Sequence, residues 1–273
     1  MEISPLSAPF GARVTGVNLK QAVPGDDVEL LKAALLEHKL LLFQGEVLAP
    51  EEQVSFSARF GELESFPPHP AGPAEHPEIY PVSNVASRGF TEVGRYWHAD
   101  GSFRPRPTVL SFFHMVEAAE DGGDTSYADM SAVFARLPSE TRELAGELKT
   151  VHGNGTVHDL VRHHSQSGRP ALFVNLGMIV GLTRPNGSPI GISPTNSREI
   201  LQLIGNILDE PDVFFRHRWS NGDLIIADNE CVAHKAHAVG EFSSRLLHRT
   251  TTRGNDRLNS AYDPPATVKI DRG

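Results

Sequence analysis

The helical period of 3.6 residues in the apolar positions is clearest in a few segments of this chain. The predicted helices are residues 26–38, 50–61 and 197–209, and a helical region from Ser131 that Pro138 interrupts and Ser139 restarts. In the first helix, Asp26 or Asp27 can cap the amino end. Its apolar face is formed by Val28, Leu31, Ala34 and Leu35.

The two-residue period of a strand accounts for much of the remaining apolar pattern. The predicted strands are residues 108–116, 171–175, 223–227 and 245–252. Prolines and glycines mark irregular segments at residues 64–77 and 181–194, and we expect the second to be a lid over a site. The pattern predicts a mainly β protein with flanking helices, one domain over residues 1–273, in which residues 253–273 form a tail or edge extension.

Composition narrows the class of protein. The chain has 273 residues, with 25 Lys and Arg against 34 Asp and Glu, so its net charge of -9 argues against nucleic acid or an anionic membrane as a partner. Its one cysteine excludes an internal disulfide and favours a reducing compartment. The first residues lack the features of a signal peptide, and the apolar runs are shorter than a membrane span. We therefore expect a cytoplasmic enzyme, forming a homo-oligomer, that acts on a small molecule.

Two segments far apart in the chain carry residue types that bind metals. In the segment Tyr-Trp-His-Ala-Asp-Gly at 96–101, His98 and Asp100 lie two positions apart, so they point to the same side of an extended backbone. His234 adds a second imidazole. Two imidazoles and one carboxylate are the facial triad that binds Fe(II) and leaves positions open for co-substrate and oxygen.

Two arginines follow His234 on a predicted strand. Arg245 and Arg249 come 11 and 15 residues after His234 and share one face of that strand, whereas His248 points to the other. Buried arginines are unfavourable unless each meets an anion, although on the exposed face of an edge strand both would simply be hydrated. His237 competes with His234 as the third ligand, and the spacing to the arginines favours His234.

These motifs together resemble the taurine and (2,4-dichlorophenoxy)acetate dioxygenase family of Fe(II)- and 2-oxoglutarate-dependent oxygenases. Residues 97–100 are similar to its Trp-His-x-Asp motif and residues 122–125 to its Gly-Gly-[Asp/Asn]-Thr motif. Residues 228–234 are similar to the segment that carries its distal metal ligand. The resemblance runs from Ile3 to Thr252 and implies a double-stranded β-helix, or jelly-roll, core.

The resemblance also implies cofactors and roles. Fe(II) is the implied metal, and 2-oxoglutarate and O2 are the implied co-substrates. The implied ligands of the metal are His98, Asp100 and His234. Thr125 and Arg245 are implied to bind 2-oxoglutarate, and Arg249 to meet the substrate anion or the other carboxylate of 2-oxoglutarate.

The implied reaction is hydroxylation of an aliphatic C–H bond of a small organic anion, with release of succinate and CO2. Near the motifs, Phe66, Tyr96 and Phe103 suggest an apolar or aromatic substrate body, and His69 is a further candidate contact. Desaturation or cyclisation on the same scaffold is an alternative. A zinc-dependent hydrolase using the same three ligands is another.

The remaining candidates receive structural interpretations. His163 and His164 are interpreted as a solvated pair flanking a turn, and Cys231 as a small buried residue.

Overall fold

The computed structural model describes residues 1–45, 47–70, 72–73, 75–185 and 194–254, and it is mostly β. The strands are β1 Glu2–Pro5, β2 Ala12–Thr15, β3 Leu40–Phe43, β4 Tyr80–Ser83, β5 Leu110–Glu117, β6 Thr125–Asp129, β7 Lys149–His152, β8 Val157–Asp159, β9 Val161–His163, β10 Pro170–Leu172, β11 Ile179–Thr183, β12 Phe214–His217, β13 Leu224–Asp228, β14 Val232–Ala236 and β15 Leu246–Thr251. The helices are α1 Gly25–His38, α2 Pro50–Ser57, α3 Met130–Arg136, α4 Ser139–Gly146 and α5 Pro194–Leu208. Most of the predicted lid, residues 186–193, and of the predicted tail, residues 255–273, lies outside the described residues.

Two sheets face each other across the main hydrophobic core. The large sheet has seven strands in the order β1-β2-β3-β13-β5-β15-β4, and a three-stranded sheet has the order β12-β6-β14. Leu40, Phe113 and Ile225 of the large sheet pack in one cluster with Tyr127 and Ala233 of the small sheet. The strands of both sheets are antiparallel to their neighbours except for β2 and β3.

The second face of the large sheet is covered by helices, which explains the continuous apolar run of β3. Leu40 and Leu42 join the core between the sheets, whereas Leu41 and Phe43 point the other way and pack in a second cluster with Leu31 of α1. A strand that is buried on both faces needs apolar side chains at every position rather than at alternate ones.

The predicted first helix is confirmed with its apolar stripe, but the predicted cap is wrong. Val28, Leu31, Ala34 and Leu35 are the buried residues of α1. Pro24 is the N-cap residue, so Asp26 and Asp27 lie inside the first turn and make no capping hydrogen bond. Carboxylates in a first turn still interact favourably with the helix dipole.

The other predicted elements are confirmed as α2 to α5, β5, β13 and β15, with small shifts of their ends. The strand predicted over residues 171–175 is shorter than expected and ends at Leu172. Beyond it, the chain pairs with the segment that carries His98, because the Val174 carbonyl accepts a hydrogen bond from the Ala99 N–H (2.9 Å). This pairing attaches the segment that carries His98 to the core.

Among the described residues, none of the helices combines the length and the apolar character that a membrane crossing requires.

Candidate metal and co-substrate site

The structure brings His98, Asp100 and His234 together, with their ligand atoms all within 4.8 Å of one another. His98 Nε2 lies 3.8 Å from Asp100 Oδ1, and His234 Nε2 lies 4.0 Å from Asp100 Oδ2. All three side chains are buried. His237 is not in this group, since its Nε2 lies 2.8 Å from the Ser126 hydroxyl.

Backbone pairing sets the two histidines side by side. The His98 N–H donates to the His234 carbonyl (3.0 Å), and the His234 N–H donates to the His98 carbonyl (2.9 Å). The His98 Nδ1–H donates to the Tyr96 carbonyl at 2.9 Å, so the Nε2 lone pair is directed at the centre of the site.

The Asp100 carboxylate is held on both oxygens. The Ser111 hydroxyl donates to Oδ2 at 2.7 Å, and Nη1 of Arg249 donates to Oδ1 at 2.5 Å. The backbone N–H of Asp100 donates to Oδ1 of Asn229 at 2.7 Å. Nothing in the sequence marked Ser111 for this role, because it lies among apolar residues of β5.

The electrostatics of the three groups favour the forms that bind a divalent cation. Burial lowers the pKa of both His98 and His234, which keeps the imidazoles neutral at neutral pH. Burial alone would raise the pKa of Asp100, but Arg249, the two histidines and Ser111 together lower it below its usual value. Neutral imidazole and ionised carboxylate are the states that ligate metals, so the group fits a divalent metal.

A cavity adjoins this group, and both predicted arginines face it. It is lined by Val82, Val93, Gly94, His98, Phe113, Thr125, His234, Ala236, Arg245, Leu247 and Arg249. The two histidines, the two arginines and the predicted threonine therefore line the same cavity.

Arg245 is a buried cation whose Nε has no hydrogen-bond partner within the described part of the chain. Burial lowers the pKa of its guanidinium to about 10, so it stays protonated at neutral pH. The hydroxyl of Tyr127, a fully buried side chain, also has no partner among the described residues. Unsatisfied buried polar groups are unfavourable, and Arg245 lines the cavity, so its unpartnered Nε indicates a site for a polar ligand there.

Simple strand alternation does not explain the orientation of Arg245. The residue precedes β15, and the pairing of β15 with β5 shifts register between Leu246 and Leu247. The backbone of Arg245 is held instead by Ser83, whose hydroxyl donates to its carbonyl (2.7 Å), and by Asn84, whose Oδ1 accepts from its N–H (2.9 Å).

Thr125 lines the cavity and offers a hydroxyl group there. The indole N–H of Trp219 donates to Thr125 Oγ1 at 2.9 Å, so the threonine oxygen acts as an acceptor on that side. The hydroxyl can then donate its own proton to an anion in the cavity. Trp219 was missed in the sequence, although a buried tryptophan generally needs a partner for its N–H.

Arg249 meets a buried carboxylate of the protein itself. Besides the bond to Asp100, its guanidinium lies 4.7 Å from the ring centroid of Tyr80 and 5.8 Å from that of Phe66. Its Nε has no hydrogen-bond partner among the described residues. The guanidinium thus retains hydrogen-bonding capacity for a further anion.

The four predicted aromatic and histidine contacts of the substrate lie at different distances from the site. Phe66 is buried beside Arg249, and the Tyr96 ring lies 5.8 Å from the His98 ring. The exposed ring of Phe103 packs on Arg104, and His69 packs on Phe90. None of the four is among the described residues that line the cavity.

His164 corrects one prediction, because it is buried whereas its neighbour His163 is exposed. Its Nε2–H donates to Asp228 Oδ2 at 2.7 Å, and its Nδ1 accepts from the backbone N–H groups of residues 166 and 167 at 3.2 Å each. With buried Cys231, His164 and Asp228 form a second possible ligand group. A metal on Nε2 would require both ring nitrogens to act as acceptors, so the geometry favours a hydrogen-bonded brace.

Comparison with known proteins identifies a family and relatives that this chain resembles in sequence and fold. The model of the "Taurine catabolism dioxygenase TauD, TfdA family" matches residues 2–251. An alpha-ketoglutarate-dependent 2,4-dichlorophenoxyacetate dioxygenase of Cupriavidus pinatubonensis is 28% identical over 91% of this chain and 96% of that protein. An alpha-ketoglutarate-dependent sulfate ester dioxygenase of Pseudomonas putida is 27% identical over 93% and 90%. The crystal structure of a taurine dioxygenase from Burkholderia xenovorans matches with a TM-score of 0.80 at 28% identity, covering 93% of this chain and 89% of that one.

Proposed function

Because this chain belongs to the TauD, TfdA family and is a 2-oxoglutarate-dependent non-haem iron dioxygenase, we propose that it hydroxylates an aliphatic C–H bond of a small organic anion. In the overall reaction, R–H, O2 and 2-oxoglutarate give R–OH, succinate and CO2. Family membership removes support from the zinc hydrolase alternative. We propose Fe(II) as the resident metal, held by His98, Asp100 and His234.

The observation that carries the proposal is the pair of arginines at one cavity with the metal-ligand group. One bound anion would need one cation, and Arg249, although bonded to Asp100, has an Nε that no described residue uses, so it can serve a second anion. Arg245 and Thr125 both line the cavity, and Arg249 lies at the Asp100 carboxylate. We assign Arg245 and Thr125 to the distal carboxylate of 2-oxoglutarate and Arg249 to the anionic group of the substrate.

The protein groups that act in this reaction bind and orient the reactants. Iron, when bound, supplies the activation of O2 and the oxidation of both the co-substrate and the substrate C–H bond. A bidentate guanidinium contact fixes the angle at which a carboxylate enters, so Arg245 orients the co-substrate as well as binding it. The apolar side chains of Val82, Phe113 and Leu247 line the same cavity and favour the exclusion of water from it.

Arg249 is suited to orient the substrate because it is already constrained. Its guanidinium packs against the rings of Tyr80 and Phe66 and is bonded to Asp100. An anion bound there would lie next to a metal ligand, which places the rest of the substrate within reach of the metal. The aromatic rings around this arginine favour a substrate with an apolar or aromatic body, with Tyr96 as a further contact near His98.

For the fold, we propose that the two facing antiparallel sheets form a double-stranded β-helix. This architecture would place all three metal ligands and both arginines at the same end of the two sheets, since His234 lies on β14 and Arg249 on β15. The single domain and the homo-oligomer stay predictions.

The test is a panel assay of succinate formation with Fe(II), 2-oxoglutarate and O2. The candidates are sulfonates, sulfate esters, aryloxyacetates, phosphonates and amino acids, each beside an uncharged analogue of the same carbon skeleton. We expect at least one anion to stimulate succinate formation and its uncharged analogue to fail. A product heavier by one oxygen indicates hydroxylation. Where the hydroxyl enters on a carbon that bears a sulfonate, sulfate or aryloxy group, the product collapses to a carbonyl compound and the released group, which together carry the added oxygen. Loss of two hydrogens indicates desaturation or cyclisation. Stimulation by the uncharged analogues as strong as that by the anions would contradict the proposal.

A further inference from the structure

We propose that Asn229 is a positioning residue that holds Asp100 in register with the two metal-ligand histidines, so that the metal affinity of the site depends on it. The inference rests on the proposed metal site of the preceding section. It concerns a residue that is not among the described residues lining the cavity and that bonds the backbone of Asp100 rather than its carboxylate.

Both polar atoms of the Asn229 carboxamide form hydrogen bonds with backbone groups at or near Asp100. Its Oδ1 accepts from the Asp100 N–H at 2.7 Å, and its Nδ2 donates to the Asp100 carbonyl at 2.9 Å. The second proton of Nδ2 goes to the Thr108 carbonyl at 2.8 Å. One buried side chain therefore holds both ends of the Asp100 residue and ties it to the chain that enters β5.

Asp100 needs such a support because it lies in a turn rather than in a strand. His98 and His234 are registered by the direct pairing of their own backbones. The backbone of Asp100 has no strand ladder to fix it, and the following Gly101 has a positive φ of 67°. The Asn229 carboxamide supplies the two backbone hydrogen bonds that a neighbouring strand would otherwise supply.

The same short turn that carries Asn229 also delivers the third ligand. Asn229 follows β13 directly, and β14, which carries His234, begins at Val232. The Asn229 N–H donates to the Val109 carbonyl at 2.9 Å, which anchors the turn to the entry of β5. This anchor is a backbone hydrogen bond and does not depend on the Asn229 side chain, so loss of the carboxamide should disturb Asp100 and leave the path of the chain to His234 in place.

The turn is itself braced from the opposite side. The neighbouring Asp228 accepts a hydrogen bond from His164 at 2.7 Å, and both side chains are buried. Asp228 Oδ1 also accepts from the backbone N–H of Glu230 at 3.1 Å. These contacts keep the turn fixed, so that Asn229 can act as a rigid support.

Ser111 and Arg249 act differently, because they bond the carboxylate oxygens of Asp100 and not its backbone.

A double-mutant cycle on Co(II) binding tests the inference without any turnover. Co(II) is titrated by its visible absorption into wild type, Asn229→Ala, Asp100→Ala and the double variant. Asn229→Ala should raise the Kd for Co(II) by about 10- to 100-fold, the usual range for partners that orient metal ligands. In the Asp100→Ala background, the same substitution should change the Kd by less than about twofold, because the group through which it acts is gone.

A matched control separates positioning from general stability. Gln53 is likewise a buried amide, and its Nε2 donates to the His248 carbonyl at 3.1 Å, outside the metal-ligand group. Gln53→Ala should lower the Tm yet leave the Kd for Co(II) within about twofold of wild type. If Asn229→Ala does not fold, Asn229→Ser retains a polar atom one bond closer to the backbone, and it should give a loss of affinity that again disappears in the Asp100→Ala background.

Two results would overturn the inference. One is an unchanged Kd for Co(II) in a folded Asn229 variant. The other is an equal loss of affinity in the wild-type and Asp100→Ala backgrounds, which would show that Asn229 does not act through Asp100. A wild-type protein that binds no Co(II) would overturn the metal site and the proposed function as well, so the two failures are distinguishable.

Discussion

Arg249 and Asp100 are 149 residues apart in the chain, yet Nη1 of the arginine lies 2.5 Å from a carboxylate oxygen of the aspartate. Both side chains are nearly inaccessible to solvent. A cation that bonds the Asp100 carboxylate and also faces the cavity has two effects. It favours the ionised state of that carboxylate, and it is available to a second anion.

Arg249→Gln tests whether that second anion is the substrate. If it is, substrate-coupled turnover should fall by roughly thirtyfold or more, since loss of a buried charge partner costs about 2 kcal/mol or more. Decarboxylation of 2-oxoglutarate in the absence of substrate should fall much less. Both rates are measured as succinate formed per enzyme, with Arg253→Gln, an exposed arginine paired with Glu62, as the control. Equal losses of both rates would show that Arg249 serves the co-substrate or Asp100 alone.

Arg245→Met should separate binding from stability. Without its guanidinium, the Kd for 2-oxoglutarate under anaerobic conditions should rise by roughly thirtyfold or more, because a charge-assisted contact worth about 2 kcal/mol or more is lost. The free energy of unfolding of the ligand-free protein should not fall, because a buried cation with an unpartnered Nε is replaced by an apolar side chain of similar length. Calorimetry and urea unfolding measure the two quantities. An unchanged Kd would refute the assignment of Arg245 to 2-oxoglutarate.

Two separate substitutions test which histidine is the third ligand of the proposed metal site. His234→Ala should abolish Co(II) binding and turnover, since it removes one of the three donors of the group. His237→Ala should retain both, because that ring bonds only the Ser126 hydroxyl among the described contacts. An inactive His237 variant beside an active His234 variant would place the ligand three residues further along the chain.

The pH dependence of stability should reflect a cross-strand pair of histidines. His114 and His248 lie opposite each other on β5 and β15, and burial lowers the pKa of each from 6.5 to about 4. His114 Nε2 accepts a hydrogen bond from the Leu48 N–H (3.1 Å), so protonation there would break that bond.

Because the unfolded chain binds protons first, stability is fully present above pH 6.5 and is lost as the pH falls toward 4. Each histidine should contribute a loss of up to about 3 kcal/mol over this window. Urea unfolding from pH 7 to pH 4 measures it, and His248→Leu should give a shallower slope than wild type. Identical slopes would show that His248 does not contribute.

The candidate metal ligands and the two arginines could be predicted from the sequence alone, because short motifs contain them. His98 and Asp100 are two positions apart in one short motif, although Asp100 lies in a turn and not in an extended strand. Arg245 and Arg249 both follow His234 within 15 residues, although a register shift between Leu246 and Leu247 means that strand alternation does not set the direction of Arg245. The helices and most core strands were predictable because their apolar periodicities follow from burial of one face.

Only the tertiary structure decided which groups support those residues. Asn229 is 129 residues from Asp100, and no periodicity relates a turn after β13 to a turn before β5. The burial of His164 likewise depends on Asp228, 64 residues away, so its surroundings in the sequence suggested a solvated turn. Arg249 illustrates both cases: its inward direction follows from strand geometry, whereas its bond to Asp100 exists only because the sheet places β15 beside the loop that carries that carboxylate.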